Sequence, residues 1–119
     1  MKVFDRFKKR TKNIVDFSEI NSNEKAIEFV EKGILAPLYL MPLRFNGEES
    51  ASNRLFVPPF VVELKDRYDD MVENLLLQDK VNGYSCTPEY KGNSFIPYKI
   101  QIMAKKDGKP IFIETINIW

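Results

Sequence analysis

The sequence predicts an α+β fold, two helices packed on an antiparallel sheet that ends in a three-stranded β-meander. Three observations carry that reading. Apolar residues recur at helical spacing in two segments, with Ala26, Ile27, Phe29 and Val30 in one and Val61, Leu64, Tyr68, Met71, Val72 and Leu75 in the other. Beyond Val81 the period changes to two: Tyr98, Ile100, Ile102 and Ala104 alternate with Lys99, Gln101, Met103 and Lys105, the pattern of a strand with one buried face. Asp107-Gly108 then separates two strand-like runs, as expected of a tight type I′ turn that needs positive φ at both central positions. At 119 residues, 44% apolar and 29% charged, the chain has the size and composition of one globular domain.

In chain order, residues 1–15 read as a basic amphipathic leader and residues 16–119 as a single α+β domain. The leader sets Val3, Phe4, Phe7 and Ile14 among lysines and arginines, which fits a short amphipathic helix or a terminal arm. Asn21, with Glu24 three residues on, resembles a capping arrangement, so the first helix is placed at 22–32 and closed by Gly33. Leu38-Tyr39-Leu40-Met41, bounded by Pro37 and Pro42, is short and apolar and reads as the first strand. Residues 44–53 contain Asn46-Gly47 and read as a loop, followed by a brief edge strand at Leu55-Phe56-Val57. Pro59 suits the first turn of the second helix, placed at about 60–79. Strands at 82–90, 95–105 and 111–118 close the chain, the first two joined through Tyr90-Lys91-Gly92-Asn93-Ser94. These patterns leave the strand order open.

The chain has no histidine and a single cysteine, Cys86. That removes imidazole acid–base catalysis, Ser-His and Cys-His triads, and zinc sites built on Cys or His. One cysteine forms no intrachain disulfide, and no apolar run is long enough for a signal sequence or a spanning helix, so the expected location is cytoplasmic. The glycines at 33, 47, 83, 92 and 108 match neither a dinucleotide fingerprint nor a phosphate loop. Cys86, near Glu89 but without a base to activate it, reads as a packing residue. The protein is therefore expected not to be an enzyme, with no catalytic residue, no bound metal and no cofactor.

The formal net charge of +1 conceals a separation along the chain. Residues 1–12 hold six basic groups against Asp5, residues 16–79 hold thirteen acidic groups against six basic ones, and residues 80–119 hold six basic against three acidic. Clustered like charge bears on partners and association rates rather than on fold. Within the acidic middle, Glu63, Asp66, Asp70 and Glu73 follow offsets that place them within a sector of about 80° on the second helix. Asp69 lies beside that stripe, and Glu48 and Glu49 of the preceding loop extend it if the fold brings them alongside. Such a stripe strains an isolated helix through like-charge pairs, which a basic partner relieves. These seven residues are the candidate partner-binding set. The alternative is a nucleic-acid or membrane-surface accessory protein that uses the basic leader and the basic C-terminal strands, where Phe95, Tyr98, Phe112 and Trp119 lie among lysines.

Four blocks carry a resemblance: Leu38-Tyr39-Leu40-Met41-Pro42-Leu43-Arg44-Phe45-Asn46-Gly47, Val57-Pro58-Pro59, Tyr90-Lys91-Gly92-Asn93-Ser94-Phe95-Ile96-Pro97 and Glu114-Thr115-Ile116-Asn117-Ile118-Trp119. In these the chain resembles small uncharacterised bacterial proteins of the toxin-immunity type, from interbacterial competition systems. The resemblance implies a non-enzymatic bacterial protein and transfers no active residue. Taken with the acidic stripe, it yields the functional expectation of an immunity protein that neutralises a basic toxin domain. The identity of that partner and the oligomeric state are not encoded in any recognisable pattern.

Overall fold

The computed structural model describes residues 15–119, so the expected leader lies almost wholly outside the described residues. Two α-helices and five strands follow in the order α1 (Asn23–Glu31), β1 (Ala36–Tyr39), β2 (Arg54–Val57), α2 (Pro59–Leu77), β3 (Gly83–Glu89), β4 (Lys99–Lys106) and β5 (Lys109–Asn117). The fold is α+β, and its strands form two antiparallel sheets, β1-β2 and the meander β3-β4-β5.

Local chemistry sets most boundaries. α1 is capped by Ser22 rather than Asn21: the serine backbone is extended, and its Oγ accepts the Lys25 N–H at 3.2 Å. The helix closes at Gly33, whose φ of +76° takes the left-handed conformation that ends helices. Pro59 opens α2, where its missing N–H has no helical partner to lose. At the other end Asp79, at φ +58°, stands where glycine is usual, and the Lys80 and Asp79 N–H groups donate back to the carbonyls of Leu75 and Leu76. In the last hairpin Asp107 and Gly108 both have positive φ, as the turn type requires. The Asn82 side chain both donates to the Asp107 carboxylate and accepts its N–H, locking the turn to the strand opposite.

The main core lies between α2 and the inner face of the meander. Ile100, Ile102 and Ala104 of β4 are fully buried there with Ile116, Val61 and Val72, and Leu38, Leu55 and Val57 of the small sheet join them. Strand alternation explains the rest. Leu55 and Val57 face this core, whereas Phe56 between them turns to a second cluster built on Ile20, Ala26, Leu35 and Ile96, with Phe29, Val30 and Trp119 packed around it. α1 covers that second cluster. The small sheet thus stands between two cores, a layering that differs from the simplest packing of both helices on one sheet face. The cause is the 54–57 strand, which is apolar on both faces.

An acidic helix face clamped by Arg44

The segment between β1 and β2 is built to hold one side chain against α2. Asn53 performs the anchoring: its Nδ2 donates to the carbonyls of Met41 at 2.9 Å and Glu48 at 2.8 Å, while its Oδ1 accepts the Met41 N–H at 2.8 Å. Asn46 takes the left-handed conformation at φ +68°, and Gly47 passes so near the Met41 carbonyl that a Cβ would overlap its oxygen. The short helical turn Leu43–Phe45 is thereby fixed, with the Arg44 guanidinium centred 5.6 Å from the Phe45 ring.

Arg44 reaches the helix stripe. Its Nη1 donates to Asp70 Oδ1 at 2.6 Å and lies 3.4 Å from Glu73 Oε2, and its Nη2 lies 3.4 Å from Asp66 Oδ1 and donates to the Asp66 carbonyl at 3.3 Å. The Asp70 hydrogen bond, outweighing partial desolvation, holds the guanidinium above its already high pKa. The clamp is therefore cationic at every physiological pH. One guanidinium against Glu63, Asp66, Asp70 and Glu73 leaves three negative charges on this face, and Glu63 takes part in no ion pair among the described residues. These carboxylates keep much of their exposure, so each pairing is worth only ~0–1 kcal/mol. The clamp orders the face more than it stabilises the fold. Beside it, a cleft of about 410 Å³ runs between Pro37, Leu38, Pro42, Leu43 and Val62, with Arg44, Glu63, Lys65, Asp66 and Asp69 on its polar side.

One member of the candidate set, Asp69, stands elsewhere than expected. Asp69 is 4% exposed and belongs to the interior, not to the exposed stripe. It shares its carboxylate between the buried Lys65 ammonium, 2.7 Å away at Oδ2, and the Tyr84 hydroxyl, which donates to Oδ1 at 2.6 Å. Lys65 also donates to the Tyr84 oxygen at 3.0 Å, closing a three-membered network that ties α2 to β3. The physical reason is angular: Lys65 and Asp69 sit on the same side of the helix as Val61 and Val72, so they enter the core and can do so only as a pair. Burial, reinforced by the Asp69 hydrogen bond, drives the Tyr84 phenol far above its usual pKa, and burial pushes the Cys86 thiol up to about 11. A thiol with that pKa is protonated at neutral pH, in line with its reading as a packing residue.

Glu48 and Glu49 are exposed, but among the described residues neither carboxylate makes a hydrogen bond or ion pair to α2. The loop brings an arginine to the stripe, so the face is less negative than a simple sum of its acids implies. Sequence spacing located Glu63, Asp66, Asp70 and Glu73 but carried no sign of Arg44. The Lys65–Asp69 pair did leave a signal: opposite charges at i and i+4, in phase with Val61 and Val72.

Among the C-terminal aromatics, Tyr98 and Trp119 flank the Lys91 ammonium, which lies 4.8 and 4.7 Å from their rings. Phe112 meets Tyr68 edge-on at 6.1 Å and Trp119 meets Phe17 at 6.3 Å. Tyr98 donates to Glu89, which also pairs with Lys99 at 3.1 Å, and Lys106 pairs with Asp79 at 3.1 Å. No helix among the described residues is long and apolar enough to cross a membrane. Comparison with protein-family models, with curated proteins and with solved structures gave no match for this chain. The functional reading accordingly rests on surface geometry.

Proposed function

We propose that this is a non-enzymatic protein-binding module of the immunity type, which neutralises a basic toxin domain through the exposed face of α2. The observation that carries the reading is the clamp. Arg44 gathers Asp66, Asp70 and Glu73 around one guanidinium, while Glu63, in no ion pair among the described residues, lines the adjoining cleft. An acidic array gathered on one face has a field that accelerates the encounter with a cationic surface. An enzyme that acts on phosphodiesters presents such a cationic surface, because its site must attract phosphate.

The test is to recover the protein that co-purifies with this chain from its native host, express it alone, and score growth with and without co-expression. The reading requires the recovered protein to be toxic alone and harmless beside this one. Glu63→Lys is the discriminating variant because it reverses charge without touching the Arg44 clamp. Weakened protection with an unchanged melting temperature supports the acidic face, and full protection by that variant moves the interface elsewhere. If no recovered protein is toxic, the immunity reading falls.

A further inference from the structure

A second recessed surface shares no residue with the acidic face. Two adjoining clefts of about 350 and 500 Å³ meet at Ser94 and Phe95, where the start of α1, strand β2 and residues 90–95 come together. Their polar lining is unlike that of α2. Among the described residues it consists of the exposed carboxamides of Asn21, Asn23 and Asn93 and the guanidinium of Arg54, with no acidic residue in either cleft. Arg54 lies 5.7 Å from the Phe56 ring centroid and, among the described residues, pairs with no carboxylate.

Two aromatic rings border this surface, and the backbone that carries one of them is firmly held. The Ser94 hydroxyl donates to the Phe17 carbonyl at 2.6 Å and accepts the Ile96 N–H at 3.0 Å, while the Phe95 N–H donates to the Ile20 carbonyl at 2.7 Å. With Ser94 and Ile96 both buried, the side chain between them is turned outward: Phe95 is 48% exposed and Tyr90 is 46% exposed. An exposed ring on a held backbone, beside a second ring, three amides and an uncompensated cation, has the composition of a surface that stacks a base and neutralises a phosphate. We infer that this double cleft binds single-stranded nucleic acid, with a base against Phe95 and Tyr90 and a phosphate at Arg54.

Each group has a role in that assignment. A base offers a π-face to the rings whatever its sequence, and carboxamides suit the mixed donors and acceptors of its edge. The guanidinium supplies a planar fork for phosphate oxygens. A neutral sugar would use the rings and amides but give Arg54 no partner.

The experiment is fluorescence anisotropy of a labelled eight-nucleotide oligo(dT) titrated with the full chain, repeated over a range of salt. Saturable binding is expected, stronger than to a duplex of the same length. Phe95→Ala and Tyr90→Ala should each weaken it about tenfold, the usual consequence of losing one stacking partner. Arg54→Ala should weaken it and reduce the magnitude of the salt slope by ~0.7, the value for one phosphate contact on a single strand. Melting temperatures of the three variants should stay near that of the parent, since all three side chains project from the surface. The inference is overturned if oligo(dT) does not bind, if duplex binds as well, or if uncharged maltohexaose competes. It is equally overturned if binding survives Phe95→Ala combined with Arg54→Ala, which would assign it to the basic residues 1–12.

Discussion

Replacing Asp69 by alanine strands a buried charge, and the structure says how much that should cost. Lys65 is 1% exposed, and its ammonium has two protein partners, the Asp69 carboxylate at 2.7 Å and the Tyr84 hydroxyl at 3.0 Å. Asp69→Ala leaves that ammonium with a neutral hydroxyl alone and also removes the acceptor of the Tyr84 proton. Breaking one side of a buried pair typically costs ~3–5 kcal/mol, a large share of the ~5–15 kcal/mol by which domains are stable. Lys65→Met combined with Asp69→Leu removes both charges together. It should recover at least half of the loss, leaving chiefly the unsatisfied Tyr84 hydroxyl at ~1–3 kcal/mol. Adding Tyr84→Phe should recover most of the remainder. Urea unfolding followed by circular dichroism at pH 7, on Lys65→Met, Asp69→Leu and the pair, closes a double-mutant cycle and isolates the coupling. If Asp69→Ala lies within ~1 kcal/mol of the parent, as an exposed substitution would, then Asp69 is not interior and belongs to the binding face after all.

Three further outcomes follow from particular contacts. Ile100→Ala should destabilise by ~2–5 kcal/mol because its side chain is fully buried, whereas Lys99→Ala, half-buried and ion-paired with Glu89, should cost less than ~1 kcal/mol; equal effects in chemical denaturation would contradict the strand's facing. Gly47→Ala should cost on the order of 1–3 kcal/mol and displace Arg44, since a Cβ there overlaps the Met41 carbonyl; an unshifted Arg44 side-chain NMR signal would refute the anchoring role of the loop. The Cys86 thiol ionises near 9.0 in the unfolded chain and at about 11 when folded. The native state therefore keeps a proton that the unfolded state has lost, and stability should fall as pH rises through that window, by on the order of 2–3 kcal/mol. The difference between the parent and Cys86→Ser in urea unfolding reads this directly, and a difference that is flat from pH 8 to 11 would refute it.

Regular, half-buried elements were the legible part of this sequence. The alternation around Ile100 and Ile102 and the Asp107-Gly108 turn locate the meander, because a period of two and a pair of positive φ angles each leave a local mark. The first strand runs Ala36–Tyr39, two residues earlier than the apolar run 38–41 implies, because Pro37 is no boundary: it sits within a short edge strand that tolerates it. Asn21 and Ser22 both suit a helix cap, and only the backbone decides between them. The division into two sheets was not legible, since it follows from strand pairing across distant segments. For the site, helical spacing places four carboxylates on one stripe. Arg44 arrives from 22 or more residues away in the chain, held by Asn53 and Gly47, and no pattern within the helix announces it. Asp69 was misplaced for a different reason: charged residues seldom enter a core, and the exception requires seeing Lys65 and Asp69 as one neutral unit.

The central claim is that the face of α2 meets its partner through charge, and the association rate constant tests it most directly. Stopped-flow mixing of the recovered partner with this protein and with Glu63→Lys, from low to high ionic strength, separates steering from contact. The account predicts that Glu63→Lys associates about tenfold more slowly at low salt, and that the two rates converge near 1 M, where the screening length falls to ~3 Å. Equal association rates at low salt, or a parent rate that does not change with ionic strength, would contradict it.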